Sequence, residues 1–147
     1  MSYPLALTIL FRCVRHRSDS GNAWLTIMKS RRFHLYLYGR DRDPIKTSFD
    51  AARLRMEQLP SLCFELDGSF AWMREPGTNE IYGIIYDAAQ HIQYVDLHGF
   101  CTKETFLQLC SAIIGREAEE CGDFEVLLLP EHKLQEFQEF VAMWCDE

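Results

Sequence analysis

The sequence predicts a single-domain α+β protein with a mostly antiparallel sheet and helices packed on one face. Three observations lead to this fold class. Apolar residues alternate in short runs between residues 62 and 99, joined by connections too short for parallel crossovers of about a dozen residues. One regular amphipathic helix follows those runs. The chain has 147 residues, the length of one domain, and the predicted element order is β-α-β-β-β-β-α-β-α.

A strand and a helix come first in this order. Alternation of apolar and polar side chains over residues 33–38 predicts the strand. Thr47 or Ser48 then caps a helix whose apolar positions recur at helical spacing as far as Leu59, and Pro60 ends it.

Four further strands are predicted in succession, separated by residues that favour tight turns. Asp67-Gly68 and Pro76-Gly77 are pairs of this kind. Gly83 marks a bulge or a close backbone approach inside the third of these strands. The four strands cover residues 62–66, 69–73, 81–86 and 92–98.

The most regular predicted helix follows Gly99, at which the fourth of these strands is expected to end. Thr102 is placed to cap the helix, and Gly115 permits a left-handed stop. The continuous apolar run at residues 124–129 predicts a buried strand, and Pro130 is expected to open a last helix. The apolar face of that helix contains Leu134, Phe137, Val141 and Trp144.

This order of elements resembles in outline that of several small proteins that bind partner proteins, including the specialised secretion chaperones. The resemblance lies in element order alone and includes no shared motif, so it identifies no family. It implies a scaffold that holds a protein partner.

Residues 1–27 are predicted to form an extension outside a core domain of residues 28–147. The periodic pattern becomes coherent only after Met28, and the apolar run at residues 5–11 lacks the flanking features of a secretory signal. No apolar run approaches the roughly 20 residues of a membrane span. Six scattered cysteines without a CxxC pair are typical of small buried side chains in a reducing compartment. We therefore expect a cytoplasmic protein without a membrane segment.

The net charge of -7 conceals opposite balances in the two parts of the chain. Residues 1–60 contain 11 Lys and Arg against 5 Asp and Glu, whereas residues 61–147 contain 4 against 17. Nucleic-acid binding would require one basic surface built from Arg12, Arg15, Arg17, Arg31 and Arg32. The acidic total disfavours that function, and packing of the basic part beside the acidic part within one fold accounts for the asymmetry as well.

Cys101 is the best candidate for a reactive thiol, because a helix N-terminus lowers a cysteine pKa. His98 could act as its base, and Asp96 could orient the histidine. Asp96 and His98 share one strand face, whereas Gly99 is expected to turn the chain before Cys101. The alternative, a solvent-facing Asp and His beside a packed cysteine, is favoured because catalytic Cys-His pairs depend on spatial contact.

The sequence predicts no metal site and no cofactor. Structural zinc sites use two close pairs of Cys or His. His91, His98 and Cys101 offer ligand atoms, but the sequence contains no second close pair.

Four aromatic side chains lie along adjacent predicted strands: Trp72, Tyr82, Tyr86 and Tyr94. They could line a groove for a peptide or a small planar ligand. Aromatic pairs also stabilise sheets directly, so sheet packing is the alternative.

The predicted function is that of a non-enzymatic protein-interaction module, which uses an exposed sheet face or edge to bind a protein partner or a second copy. The alternative is a small ligand-binding protein or thiol-dependent enzyme with a site near His98 and Cys101. The position of Cys101 discriminates between them. Contact with His98 in a cleft favours the alternative, and burial among apolar residues favours the module.

Overall fold

The computed structural model of the protein describes residues 30–75, 79–117 and 120–145. The predicted extension at residues 1–27 and the predicted Pro76-Gly77 turn lie outside these ranges. Within them the chain forms one antiparallel sheet of seven strands, in the order β2-β3-β4-β5-β1-β6-β7, and three helices. The α+β fold class is confirmed. The strands are β1 (Ser30–Tyr38), β2 (Leu62–Phe64), β3 (Ser69–Glu75), β4 (Asn79–Ala88), β5 (His91–Thr102), β6 (Glu125–Leu128) and β7 (Lys133–Glu136).

The strand β1 lies in the interior of the sheet and joins two parts that are distant in sequence. On one side it pairs with β5, with Leu35 opposite Leu97. On the other side it pairs with β6, with Leu37 opposite Val126. All four side chains are completely buried. The alternation predicted for residues 33–38 is therefore real, and its apolar half faces the core.

The helices are α1 (Phe49–Met56), α2 (Lys103–Ile114) and α3 (Phe137–Ala142). Side-chain caps start the first two, as the sequence predicts. Ser48 Oγ accepts a hydrogen bond from the Ala51 amide at 3.1 Å, and Thr102 Oγ1 accepts one from the Thr105 amide at 3.3 Å. Gly115 ends α2 in the left-handed conformation, with φ of 84°.

The helices share one face of the sheet and enclose an aromatic core. The Phe106 ring of α2 lies 5.3 Å from the Phe33 ring of β1 and 5.5 Å from the Phe140 ring of α3, centroid to centroid. Arg55 connects α1 to α2, because its guanidinium donates hydrogen bonds to the carbonyls of Ala112 and Ile113 at 2.7 and 2.9 Å. Those carbonyls belong to the last turn of α2, where helical partners are lacking.

The expectation that β5 ends at Gly99 is wrong. The strand continues to Thr102, and Gly99 remains opposite Phe33 of β1 and Ile81 of β4. Gly99 has φ of 155°, and a Cβ there would overlap the carbonyl oxygen of Glu80. The glycine thus permits close approach of two paired strands. The strand ends only at Thr102, where α2 begins.

The expectation that Pro130 opens the last helix is also wrong. Residues Lys133–Glu136 form β7, which pairs with β6, and α3 begins at Phe137. Gln135 faces the core and Leu134 is 42% exposed, the reverse of what a helical stripe through Leu134 requires. Cross-strand pairing of Gln135 with Val126 overrides the helical periodicity here.

In the part of the chain that the structure describes, no helix combines the length and the apolar character needed to cross a bilayer.

Candidate functional site

The sheet face opposite the helices carries five tyrosines, and we call it the tyrosine face. Strand alternation places on this face the neighbours of core residues. Many of them are polar or aromatic, but over β3 Ala71 and Met73 form a small buried apolar cluster against Tyr82. Registers confirm that they share this face, because Tyr82 lies opposite His98, and His98 lies opposite His34. None of the three described helices packs against it. The tyrosines are Tyr36, Tyr38, Tyr82, Tyr86 and Tyr94.

Four of these tyrosines form a compact cluster around Tyr94. Its ring centroid lies 4.7 Å from that of Tyr86, 5.1 Å from that of Tyr36 and 5.5 Å from that of Tyr38. These separations are typical of favourable aromatic pairs. Tyr86 is 40% exposed, so the cluster presents an aromatic surface to solvent. We call these four residues the tyrosine cluster.

Beside the tyrosine cluster, two histidines and a carboxylate come together. His34 Nε2 lies 3.1 Å from Asp96 Oδ1. The His98 ring is 5.4 Å from the His34 ring and stacks on the Tyr82 ring at 5.5 Å, between centroids. One potential ligand atom from each of His34, Asp96 and His98 lies within 4.8 Å of the other two.

Burial shifts the pKa values of three of these groups, Tyr82, Tyr94 and His98, toward the neutral form. Burial, followed by the negative charge of Glu80, raises the pKa of Tyr82 to about 12. Burial also raises the pKa of Tyr94, with smaller contributions from neighbouring tyrosines and Asp96. Desolvation lowers the pKa of His98, and the His34 charge adds to this effect while Asp96 opposes it. The His98 side chain is exposed overall, and the Tyr82 ring stacks on it.

The structure separates Cys101 from Asp96 and His98. Asp96 and His98 share the tyrosine face, as the sequence predicts, whereas Cys101 lies on the helix face and is completely buried. Burial raises the pKa of the Cys101 thiol strongly, although a hydrogen bond from the Phe106 backbone acts in the opposite direction. Cys101 and His98 therefore lie on opposite faces of the sheet, and their side chains do not meet.

Trp72 does not share the surface of the tyrosines. On β3, Ala71 precedes Trp72 and lies opposite Tyr82 of β4, so Ala71 shares the tyrosine face. Trp72 lies opposite Ile81 of β4 and therefore points to the core. Trp72 is 1% exposed, and its Nε1 donates a hydrogen bond to the Pro60 carbonyl at 2.8 Å. It is a core residue with a satisfied polar atom, so the prediction that it lines an exposed groove is wrong.

The two basic residues at the start of β1 point to opposite faces of the sheet. Arg31 lies over the Phe140 ring at 4.6 Å on the helix face. Arg32 lies over the Phe100 ring at 5.5 Å on the tyrosine face. The other arginines considered for nucleic-acid binding, Arg12, Arg15 and Arg17, lie outside the described residues. Arg31 and Arg32 therefore do not contribute to one common basic surface.

Sequence reasoning missed His34, Tyr36 and Tyr38 as site residues. Their alternation with buried residues of β1 marks them as one face, and this signal is visible in the sequence. What the sequence does not show is that β1 pairs with β5, which brings Tyr36 opposite Asp96 and His34 opposite His98.

No protein-family model, curated protein or solved structure matches the chain.

The burial of Cys101 predicts that its thiol is unreactive in the folded protein. Because the thiolate is the nucleophile and burial disfavours it, alkylation at pH 8 is expected to modify Cys101 only after unfolding in guanidinium. Mass spectrometry of the digested protein measures labelling at each cysteine. Cys110 is the matched control, since it is buried, free and has a strongly raised pKa. Rapid labelling of Cys101 alone in the folded state would restore the thiol hypothesis.

Proposed function

We propose that the protein is an interaction module whose tyrosine face binds a basic segment of a partner protein. The observation that carries the proposal is the tyrosine cluster, four adjoining rings on a sheet face that none of the described helices covers. Tyrosine is enriched at protein interfaces because its ring supplies contact area and its hydroxyl supplies a hydrogen bond. Each cluster ring has a partner within the sheet, so little side-chain entropy is lost on binding.

Charge supports a basic partner. Glu125 lies opposite Tyr38 and adjoins the tyrosine cluster, and Glu136 lies one strand farther out on the same face, opposite Glu125. Glu125 lies in β6, which pairs with β1, and Glu136 lies in β7, the edge strand beyond β6. Aromatic ring faces attract Lys and Arg side chains, and nearby carboxylates reinforce that attraction. The net charge of -7 steers a cationic partner in the same direction.

The face suits this role better than the sheet edges do. The described edge strands are β2 and β7, of only three and four residues. Short edge strands are a feature that discourages pairing with another chain. Strand addition at an edge would also leave the tyrosine cluster unused.

The proposal predicts that Tyr86→Ala weakens binding of basic peptides. A displayed library of random peptides is selected against the purified chain in the presence of EDTA, and the dissociation constants of selected peptides are measured by fluorescence anisotropy. Selected peptides are expected to be rich in Lys and Arg. Tyr86→Ala should raise the dissociation constants of these peptides by about fivefold to thirtyfold, the effect of a residue central to an interface. Tyr86 is 40% exposed and, within the tyrosine cluster, stacks on Tyr94 alone, so the substitution should lower the melting temperature by only a few degrees.

Leu54→Ala is the matched control for this experiment. Leu54 is a large apolar residue of α1 that is 64% exposed and lies away from the tyrosine face. Its replacement should leave peptide binding unchanged. Equal weakening by Leu54→Ala, or selection of peptides without basic residues, would contradict the proposal. So would a concentration-dependent dimer that Tyr86→Ala abolishes, because the occupant would then be a second copy of the chain.

A further inference from the structure

We propose that His34, Asp96 and His98 bind a divalent transition-metal ion of the Zn²⁺ class. Two imidazoles and one carboxylate form a ligand set suited to zinc and to neighbouring first-row metals. Three protein ligands with the remaining positions open are typical of zinc sites that also bind water or another ligand. Below, these three residues are called the metal cluster.

The distances in the metal cluster fit an ion after a small adjustment. Ligand atoms about 2.0–2.1 Å from a tetrahedral ion are about 3.3 Å apart. His34 Nε2 and Asp96 Oδ1 are already 3.1 Å apart. The greatest separation between the three ligand atoms is at most 4.8 Å, so a shift of the His98 ligand nitrogen by at most about 1.5 Å closes the set.

The fold builds the metal cluster from the central pair of strands. Asp96 and His98 are two residues apart on β5, which puts them on one face. The register of β1 against β5 then places His34 directly opposite His98 and diagonal to Asp96. This register brings in His34, a ligand that the spacing of residues within β5 does not reveal. Both strands have neighbours on either side, so the backbones that carry the ligands are held on rigid elements.

Neighbouring rings restrict the two histidines further. Tyr82 stacks on the His98 ring with an interplanar angle of 28°. Tyr36 approaches the His34 ring edge-on, with 6.4 Å between centroids. Such contacts reduce the rotamer freedom that an ion would otherwise have to restrict. The ligands lie on the tyrosine face, but binding of an ion does not depend on the proposed basic partner.

The test uses the full chain without a histidine tag, treated with a chelator and then titrated with Zn²⁺ by calorimetry. One equivalent is expected to bind at the metal cluster and to raise the melting temperature, because a ligand that binds only the folded state stabilises it. His34→Ala and His98→Ala should each weaken this binding by about tenfold or more. Both side chains are exposed, so the apo variants should melt close to the apo wild type.

His91→Ala is the matched control. His91 is an exposed histidine of the same strand, and its Nδ1 lies 3.1 Å from the Ala89 carbonyl. This variant should retain the calorimetric titration and the rise in melting temperature. Equal loss of binding in His91→Ala, or no loss in His34→Ala and His98→Ala, would overturn the assignment. Absence of any Zn²⁺ binding by the wild type would also overturn it.

Co²⁺ distinguishes the metal cluster from the cysteines as the source of ligands. Titration with Co²⁺ is expected to produce visible d–d absorption without the near-ultraviolet charge-transfer band of a thiolate ligand. A strong thiolate band would assign the ion to cysteines and exclude the metal cluster. The peptide selection described above is performed in EDTA, so failure of the metal site and failure of the interaction surface are separate outcomes.

Discussion

Replacing Phe106 with alanine is expected to lower the free energy of unfolding by about 3–5 kcal/mol, close to the whole stability of many small domains. Phe106 is completely buried at the junction of α2, α3 and β1. Its ring centroid lies 4.9 Å from that of Trp144, 5.3 Å from that of Phe33 and 5.5 Å from that of Phe140. Truncation removes all of these contacts and leaves a cavity that three large rings cannot easily refill.

Denaturant unfolding followed by fluorescence measures the effect. Phe106→Leu should lower the free energy of unfolding by less than Phe106→Ala does, because leucine retains most of the apolar volume. Leu54→Ala, on the exposed side of α1, should change the free energy of unfolding by no more than about 0.5 kcal/mol. A loss below about 1 kcal/mol for Phe106→Ala would show that the aromatic core is not organised around this ring.

Replacing Gly99 with alanine should be almost as disruptive, with an expected loss of about 3 kcal/mol or more. Gly99 has a backbone φ of 155°, a conformation that residues other than glycine rarely adopt. A Cβ at this position would overlap the Glu80 carbonyl oxygen and lie 2.9 Å from Ile81 Cα. Both obstacles are backbone atoms of β4, so relief requires the two strands to separate.

Gly122→Ala is the control for Gly99→Ala, because no atom lies within 4 Å of a Cβ built at Gly122. Thermal unfolding should show a large fall in melting temperature for Gly99→Ala and little change for Gly122→Ala. If Gly99→Ala melted like the wild type, β4 and β5 could not be paired at Gly99 as the structure has them.

Local signals in the sequence predicted local features correctly. Ser48 and Thr102 cap helices because a hydroxyl preceding a helical run accepts an amide hydrogen bond wherever the rest of the chain lies. Gly83 was expected to mark a bulge or a close backbone approach, and the second holds: a Cβ there would lie 2.6 Å from the Asp96 carbonyl oxygen. Features of this kind depend on neighbouring residues and on backbone conformation.

Features that depend on distant residues were not predictable in the same way. Helical spacing of Leu134 with Phe137 suggested one continuous helix, but pairing with β6 converts residues 133–136 into a strand. The metal cluster depends on the register between residues 34 and 98, which periodicity does not specify. The alternation in β5 correctly predicted that Asp96 and His98 share one face. The third residue of the metal cluster, His34, lies on β1, outside the four successive strands.

The central position of β1 also has a consequence for how the chain is made. A ribosome completes β1 at Tyr38 long before β5 ends at Thr102 and β6 ends at Leu128. The strands β2 to β5 can pair with neighbours that are close in sequence. Pairing of β1 with β5 and β6 closes much longer loops, which costs more conformational entropy. We therefore expect the contacts of β1 to form late in folding. Until then the nascent chain carries Phe33, Leu35 and Leu37 without a partner strand, and we expect this segment to be exposed to aggregation or chaperone capture during synthesis.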